Sequence, residues 1–263
     1  RGLRTVYMRL GAKGVETHHV VLKESERPDA HVARRDDGAP PRIAIVIDDI
    51  GYADSSVVMG FLELDVPLSV SVLPGTPHGP SLARRAAAAG KEVLLHLPME
   101  PEGYPDADPG DRALLLEQGH REIAARVSEA LSEVPEVVGV NNHMGSAFTR
   151  DRGRMRVVMG VIKENGLFFV DSMTTPESKG FPEAERAGIP SVRNNMFIDS
   201  RLDELGRLDV YSQLMALEDI ASRRGEAVGI GHPHSETLRI LRRAIPEMKE
   251  RGFEFVFVSA LTG

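Results

Sequence analysis

Eight short aliphatic runs recur between Ile43 and Val258, and one helical pattern falls between each run and the next. The runs are Ile43 to Ile47, Leu68 to Leu73, Glu92 to Leu97, Val137 to Asn141, Leu167 to Asp171, Ser191 to Ile198, Ala227 to Ile230 and Phe253 to Val258. A run such as Ile43 to Ile47, apolar at every position, reads as a strand buried on both faces, as in a parallel sheet covered by helices. Helical patterns cover Ser55 to Leu64, Ser81 to Ala89, Arg112 to Leu131, Arg152 to Glu164, Asp209 to Arg223 and Ser235 to Arg251, with a short helical piece before Gly188. Asp54, Asp151 and Ser235 stand near helix starts, and Gly90, Gly166, Gly225 and Gly252 just past helix ends, as capping chemistry requires. One helix between successive strands implies right-handed βαβ units. Seven or eight such units over about 220 residues predict an α/β fold, a distorted (β/α) barrel of seven to eight parallel strands, with an open doubly wound sheet as the alternative.

Residues 1–41 stand outside that rhythm. Thr5 to Leu10 and Glu16 to Leu22 are β-like, and Glu24 to Pro41 is rich in charge, proline and glycine. This region reads as an N-terminal appendage and linker, leaving 42–263 as the barrel domain. His18, His19 and His31 have no carboxylate at ligand-like spacing and read as solvated histidines. The chain begins at Arg1 rather than Met, and we expect a targeting segment to precede it in the natural protein.

Composition removes several function classes. The formal net charge of −7, without a basic tract, argues against nucleic acid as the partner. No apolar run approaches the roughly 20 residues of a bilayer span. With no cysteine, disulfide and thiolate chemistry are excluded, and any metal must be held by histidines and carboxylates.

Chemistry-capable residues gather at the carboxyl ends of the runs, where (β/α) barrels build their active sites. The first run ends in Asp48-Asp49, the third passes through His96 to Glu100, and the fourth leads into Asn141-Asn142-His143. The fifth ends in Asp171-Ser172, and the seventh runs into His232-Pro233-His234. Adjacent aspartates at a strand end can also be helix caps, and a lone strand histidine can be a satisfied core residue. Taken together, His96, His143 and one of the aspartates make the three-ligand set of a divalent ion that keeps a position open for water. Ser146 and Ser172 lack a nucleophile elbow, and Gly229-Ile230-Gly231 opens no dinucleotide-binding unit.

The segments Ile-Asp-Asp-Ile-Gly-Tyr, Leu-His-Leu-Pro-Met-Glu, Gly-Val-Asn-Asn-His-Met-Gly-Ser, Phe-Val-Asp-Ser and Gly-Ile-Gly-His-Pro-His occur in this order from Arg42 to Leu261. They resemble the divergent polysaccharide deacetylase family, a remote branch of the metal-dependent carbohydrate deacetylases. The resemblance implies a distorted barrel, a divalent metal (usually Zn2+), an acetylated glycan substrate and a periplasmic or cell-envelope setting. By the same resemblance Asp48 is the general base, Asp49, His96 and His143 are the metal ligands, and His232 is the general acid. Better-known deacetylases carry both ligand histidines in one His-x-x-x-His loop, whereas the residue four after His96 is Glu100. Glu100 is open as ligand, supporting residue or loop carboxylate. Asn142, Asp171, Arg193 and His234 are further candidates for substrate contact or support. Arg193 and Asp199 resemble family positions, as an ion pair or as a group orienting Asp48. Tyr52, Tyr104 and Met99 are candidates for a sugar platform or for packing.

The expected function is hydrolytic removal of acetyl groups from an envelope glycan. The alternatives are a catalytically silent barrel that binds glycan or a partner around a structural metal, and hydrolysis of a phosphate ester or cyclic amide. Phosphate would want clustered Arg or Lys at the strand ends, and these are lacking.

Overall fold

The computed structural model describes residues 5–12, 15–23, 38–200, 202 and 209–263. The chain divides into two units, Arg1–Ala33 and Arg34–Gly263. In the first, β1 (Thr5–Ala12) pairs antiparallel with β2 (Val15–Lys23), with a register shift at Leu10/Gly11. His18 and His19 belong to β2, while His31 and most of the expected linker, 24–37, lie outside the described residues.

The second unit is a parallel sheet wrapped by helices. Its strands are β3 (Arg42–Ile50), β4 (Ser69–Val72), β5 (Glu92–Met99), β6 (Val137–Met144), β7 (Phe168–Asp171), β8 (Ser191–Arg193), β9 (Met196–Phe197), β10 (Glu226–Gly231) and β11 (Glu254–Phe255). They run in the order β8-β7-β6-β5-β4-β3-β10-β9, and β11 pairs with the first residues of β3. The two ends of this path, β8 and β9, are separated in sequence only by Asn194 and Asn195. The predicted sixth strand is therefore one segment that changes partner: Asn194 N–H donates to Asp171 O on β7 at 2.8 Å, and Asn195 N–H to Val228 O on β10 at 2.9 Å. That switch brings one segment to both ends of the curled sheet and makes the barrel distorted.

Alternation along the strands sorts the core into two shells. Ala44, Val46, Leu94, Phe168, Val170, Val228 and Ile230 fill the barrel interior with Val258 and Leu261 from the C-terminal segment. The intervening residues, among them Ile43, Ile45, Ile47, Leu95 and Phe169, pack outward against helices such as α6 (Val210–Arg224) and α7 (Ser235–Glu250) through Leu214, Leu217, Leu238 and Leu241. Ordinary amphipathic helices suffice for such a layer.

Two expectations fail at element level. The helix predicted from Arg112 begins at His120, because Ala113 and Leu114 are used as a buried anchor. Leu114 N–H donates to Pro98 O and Leu114 O accepts from Glu100 N–H, so a strand-like bridge displaces the helix. The last strand shrinks to Glu254–Phe255, after which the chain turns under the barrel as a short 3-10 segment, Val258–Leu261.

Candidate metal centre and acid pair

Three strand ends carry a left-handed backbone at a non-glycine residue: Asp49 (φ 58°), Met144 (φ 50°) and Met173 (φ 55°). Each such residue costs on the order of 1–3 kcal/mol, and such strain gathers where a site needs it. At Asp49 it coincides with a register shift between Ile47 and Ile50. A regular strand would send Asp48 and Asp49 to opposite faces. The bulge instead turns both toward one imidazole: Asp49 Oδ1 lies 3.2 Å and Asp48 Oδ2 3.6 Å from His96 Nε2.

His143, on β6, completes the group. Its Nδ1 stands 2.9 Å from Asp49 Oδ1 and 3.1 Å from His96 Nε2. Ligands held at 2.0–2.2 Å around one ion at angles between octahedral and tetrahedral are about 2.8–3.6 Å apart. The three donor atoms meet that spacing. Asp49 Oδ1 is buried and, although close to two ring nitrogens, is aligned for a hydrogen bond with neither. An orphaned carboxylate oxygen is costly unless something else satisfies it. The donor set of two nitrogens and one oxygen thus fits a zinc-like divalent ion. Burial alone would raise the Asp49 carboxyl, but His143 and His96 outweigh it and hold that carboxyl well below the usual carboxylate range.

Behind the three donors lies a hydrogen-bonded layer. His96 Nδ1 is 2.8 Å from Asn141 Oδ1, and Asn141 Nδ2 donates to Asp48 Oδ1 at 2.8 Å and to Ser172 Oγ at 3.3 Å. All four residues are buried.

On the neighbouring strand, pairing of Gly231 with Ile47 puts His232 next to the end of β3. Its ring stacks on Phe197, with centroids 6.1 Å apart. Asp199 binds His232 twice, accepting the main-chain N–H at 2.6 Å and standing 2.9 Å from ring Nδ1, and it also accepts from the Thr237 hydroxyl at 2.8 Å. Gly231 permits this, since a Cβ there would lie 3.0 Å from Ile198 and 3.3 Å from Asp199 Oδ2. Burial works against a charge on His232, but the Asp199 carboxylate, helped by Asp48 and Asp49, pushes its pKa up to about 9. Asp199, His232 and His234 could also gather around a cation. There, however, the Asp199 oxygens are already engaged by three donor groups, unlike the orphaned Asp49 Oδ1.

The remaining candidates fall elsewhere. Glu100 accepts from Leu116 N–H at 2.6 Å and pins the 100–119 loop. Asn142 donates to Met144 O and accepts from Ser172 N–H, bracing two strand ends, and it is Asn141 that faces the histidines. Asp171 accepts from Ser178, Phe181 and Met173 and organises the turn after β7. It shares the outward parity of Phe169, which explains why it misses the mouth. Arg193 lies 4.1 Å over the Phe181 ring, and Asp199 serves His232, so the expected Arg193–Asp199 pair and the orienting of Asp48 by either residue are both corrected. His234 is exposed at the start of α7, its ring 6.0 Å from His232. Met99 is fully buried and belongs to the core, while Tyr52 is 66% exposed. The sequence leaves open whether Asn141 or Asn142 faces the site, and gives no signal for Ser172 or Thr237 as supporting residues. Counting back two from His143 finds Asn141 by strand parity.

Residues 45–262 match the model of the divergent polysaccharide deacetylase family. YibQ of Escherichia coli K12 is 34% identical over 204 residues, 78% of this chain and 62% of YibQ, so the chain spans less than two thirds of that relative's length. A Haemophilus influenzae protein is 32% identical over 215 residues, 81% of this chain and 74% of its own. The crystal structure of ATU2773 from Agrobacterium tumefaciens C58 superposes with a TM-score of 0.78 at 26% identity, covering 88% of this chain and 93% of that one. All three are described as uncharacterized.

Proposed function

We propose that this chain, which belongs to the divergent polysaccharide deacetylase family, is a metal-dependent hydrolase that removes acetyl groups from a polysaccharide or glycan of the bacterial cell envelope. The observation that carries the reading is the pairing of a three-donor metal cluster, Asp49, His96 and His143, with two further groups at the same rim, Asp48 and His232. Structural zinc sites are saturated by four protein ligands, whereas catalytic ones keep a position free. Among the described residues this cluster offers three donors, which favours catalysis over a structural metal.

A zinc-like ion held there would polarise an acyl carbonyl and lower the pKa of a water toward about 7. The chain's own residues then divide the proton work. Asp48 has Oδ1 tied to Asn141, so Oδ2 is the oxygen that takes the proton of the attacking water as that water's oxygen bonds to the acetyl carbon. His232 has Nδ1 committed to Asp199, so Nε2 carries the proton that passes to the departing sugar nitrogen or oxygen as its bond to the acetyl carbon breaks. The products are acetate and a free amino or hydroxyl group on the glycan.

A cavity of about 620 Å³ lined by Tyr52, Thr76, Pro98, Asp108 and Asp111 adjoins the end of β5, where Pro98 pairs with His143. Its volume suits a sugar-sized ligand, and Tyr52 offers an exposed ring face. Envelope placement follows from the glycan substrate. Among the described residues no helix is long and apolar enough to cross a membrane.

Acetate release from N-acetylated and O-acetylated envelope glycans, measured with zinc and after chelation, tests the reading. Zinc-dependent release abolished by the chelator is expected. No release from any acetylated glycan by a zinc-loaded, folded chain would overturn it.

A further inference from the structure

The geometry points to Asn141 as a positioning residue that couples the metal site to the base, setting the proton on His96 and the orientation of Asp48 through a single side chain. This deepens the metal-dependent reading above and rests on it. Asn141 is fully buried, pairs in register with His96 on β5, and lies two residues before His143 on β6. It touches neither the focus of the three ligand atoms nor a substrate, and acts only through its neighbours.

The argument is one of donor and acceptor inventory. A primary amide has one oxygen that only accepts and one nitrogen that only donates. Asn141 Nδ2 faces two acceptors, Asp48 Oδ1 at 2.8 Å and Ser172 Oγ at 3.3 Å, which uses both of its hydrogens. Oδ1 is left for His96 Nδ1 at 2.8 Å, so that nitrogen must carry a hydrogen. The lone pair of His96 is then on Nε2, the atom that faces Asp49 and His143. The same amide holds Asp48 by Oδ1 and leaves Oδ2 on the side of His96 Nε2, 3.6 Å away. Reversing the amide would set its oxygen against the Asp48 carboxylate with no hydrogen between them, so burial leaves one arrangement.

Two substitutions separate the two jobs. Asn141→Asp keeps an oxygen for His96 but turns a second carboxylate oxygen toward Asp48, and two carboxylates in one site share a proton. Asn141→Leu removes both contacts at similar volume. Zinc affinity is read by competition with a chromophoric chelator, acetate release by turnover, folding by thermal melt, and the position of the His96 proton by nitrogen chemical shifts in the zinc-loaded wild-type chain.

The expected pattern is a His96 proton on Nδ1 in the wild type, a zinc affinity lowered about 10- to 100-fold in Asn141→Leu, as for other groups that orient a metal-bound histidine, and near wild-type affinity with turnover reduced about 10²-fold or more in Asn141→Asp, as when a general base is lost. A His96 proton on Nε2, or a folded Asn141→Leu chain that binds zinc as tightly as wild type, overturns the assignment. Zinc held on Nε2 by itself requires the proton on Nδ1, so if the Leu chain misfolds the Asn141→Asp chain decides, and wild-type turnover in a folded, zinc-loaded Asn141→Asp chain overturns the assignment. A wild-type chain that takes up no divalent ion overturns the metal reading itself, an outcome distinct from zinc binding that ignores Asn141.

Discussion

Asp199 holds His232 at two points, accepting its main-chain N–H at 2.6 Å and standing 2.9 Å from its ring Nδ1. The double contact fixes the position of the ring and commits its Nδ1 to Asp199. It also sets a pH limit. Burial opposes the charged ring, the carboxylate outweighs burial, and the His232 pKa rises to about 9.

An acid with a raised pKa is protonated below that value and lost above it. Acetate release should therefore persist well above the ordinary histidine range of about 6.5 and fall as pH climbs toward about 9. A bound cation offsets the fields of Asp48 and Asp49, so the limb in the loaded enzyme should lie below that of the free ring. Asp199→Asn should move this alkaline limb to lower pH, since it removes the largest interaction favouring the charge. A pH profile of kcat/KM for both proteins checks the shift, and an unmoved limb would assign the proton to another group. The same linkage makes the stability supplied by this pair complete below the unfolded histidine pKa and progressively lost as pH rises through about 9.

The two adjacent aspartates should respond differently to the same change. Asp48→Asn should keep zinc and the fold while lowering turnover by about 10²-fold or more. Asp49→Asn replaces an anionic ligand with a neutral one and should lose zinc first. Metal content and acetate release on both variants decide it, and equal zinc loss in the two would mean that the division is wrong.

Gly231→Ala should disturb catalysis without touching the metal. The added methyl would sit 3.0 Å from Ile198 and 3.3 Å from Asp199 Oδ2, tight enough to shift the carboxylate from His232. We expect a melting midpoint lowered by overpacking of about 1–3 kcal/mol, turnover down, and zinc affinity unchanged. Wild-type turnover in a folded Gly231→Ala chain would show that the placement of Asp199 is not critical.

How far a reader of the sequence could see follows from what local pattern encodes. Strand positions are legible because Ile43 to Ile47 and Ala227 to Ile230 are apolar at every position, a pattern that sheets buried on both faces share. The gathering of His96, His143, Asp48 and Asp49 at one rim follows once the strands are parallel. Facing is harder. Asp49 reaches the cluster through a bulge with φ 58°, which no strand periodicity encodes. Asn141 and Asn142 differ only in parity, and parity had to be counted from His143. Asp171 fails by the same rule, since Val170 points into the barrel and Asp171 away from it. Leu114 to Leu116 carry helical hydrophobicity but are taken by the bridge to β5, a tertiary contact that outweighs local preference. The change of partner at Asn194/Asn195 leaves the sequence looking like one strand where two short ones form.

The most direct test of the account is a crystal structure of the zinc-soaked chain with the ion located by anomalous scattering. One zinc ion bound by Asp49 Oδ1, His96 Nε2 and His143 Nδ1 at about 2.0–2.2 Å, with Asp48 outside bonding distance, is the predicted result. A chain that binds no zinc at these residues, or binds it between Asp199, His232 and His234 instead, would contradict it.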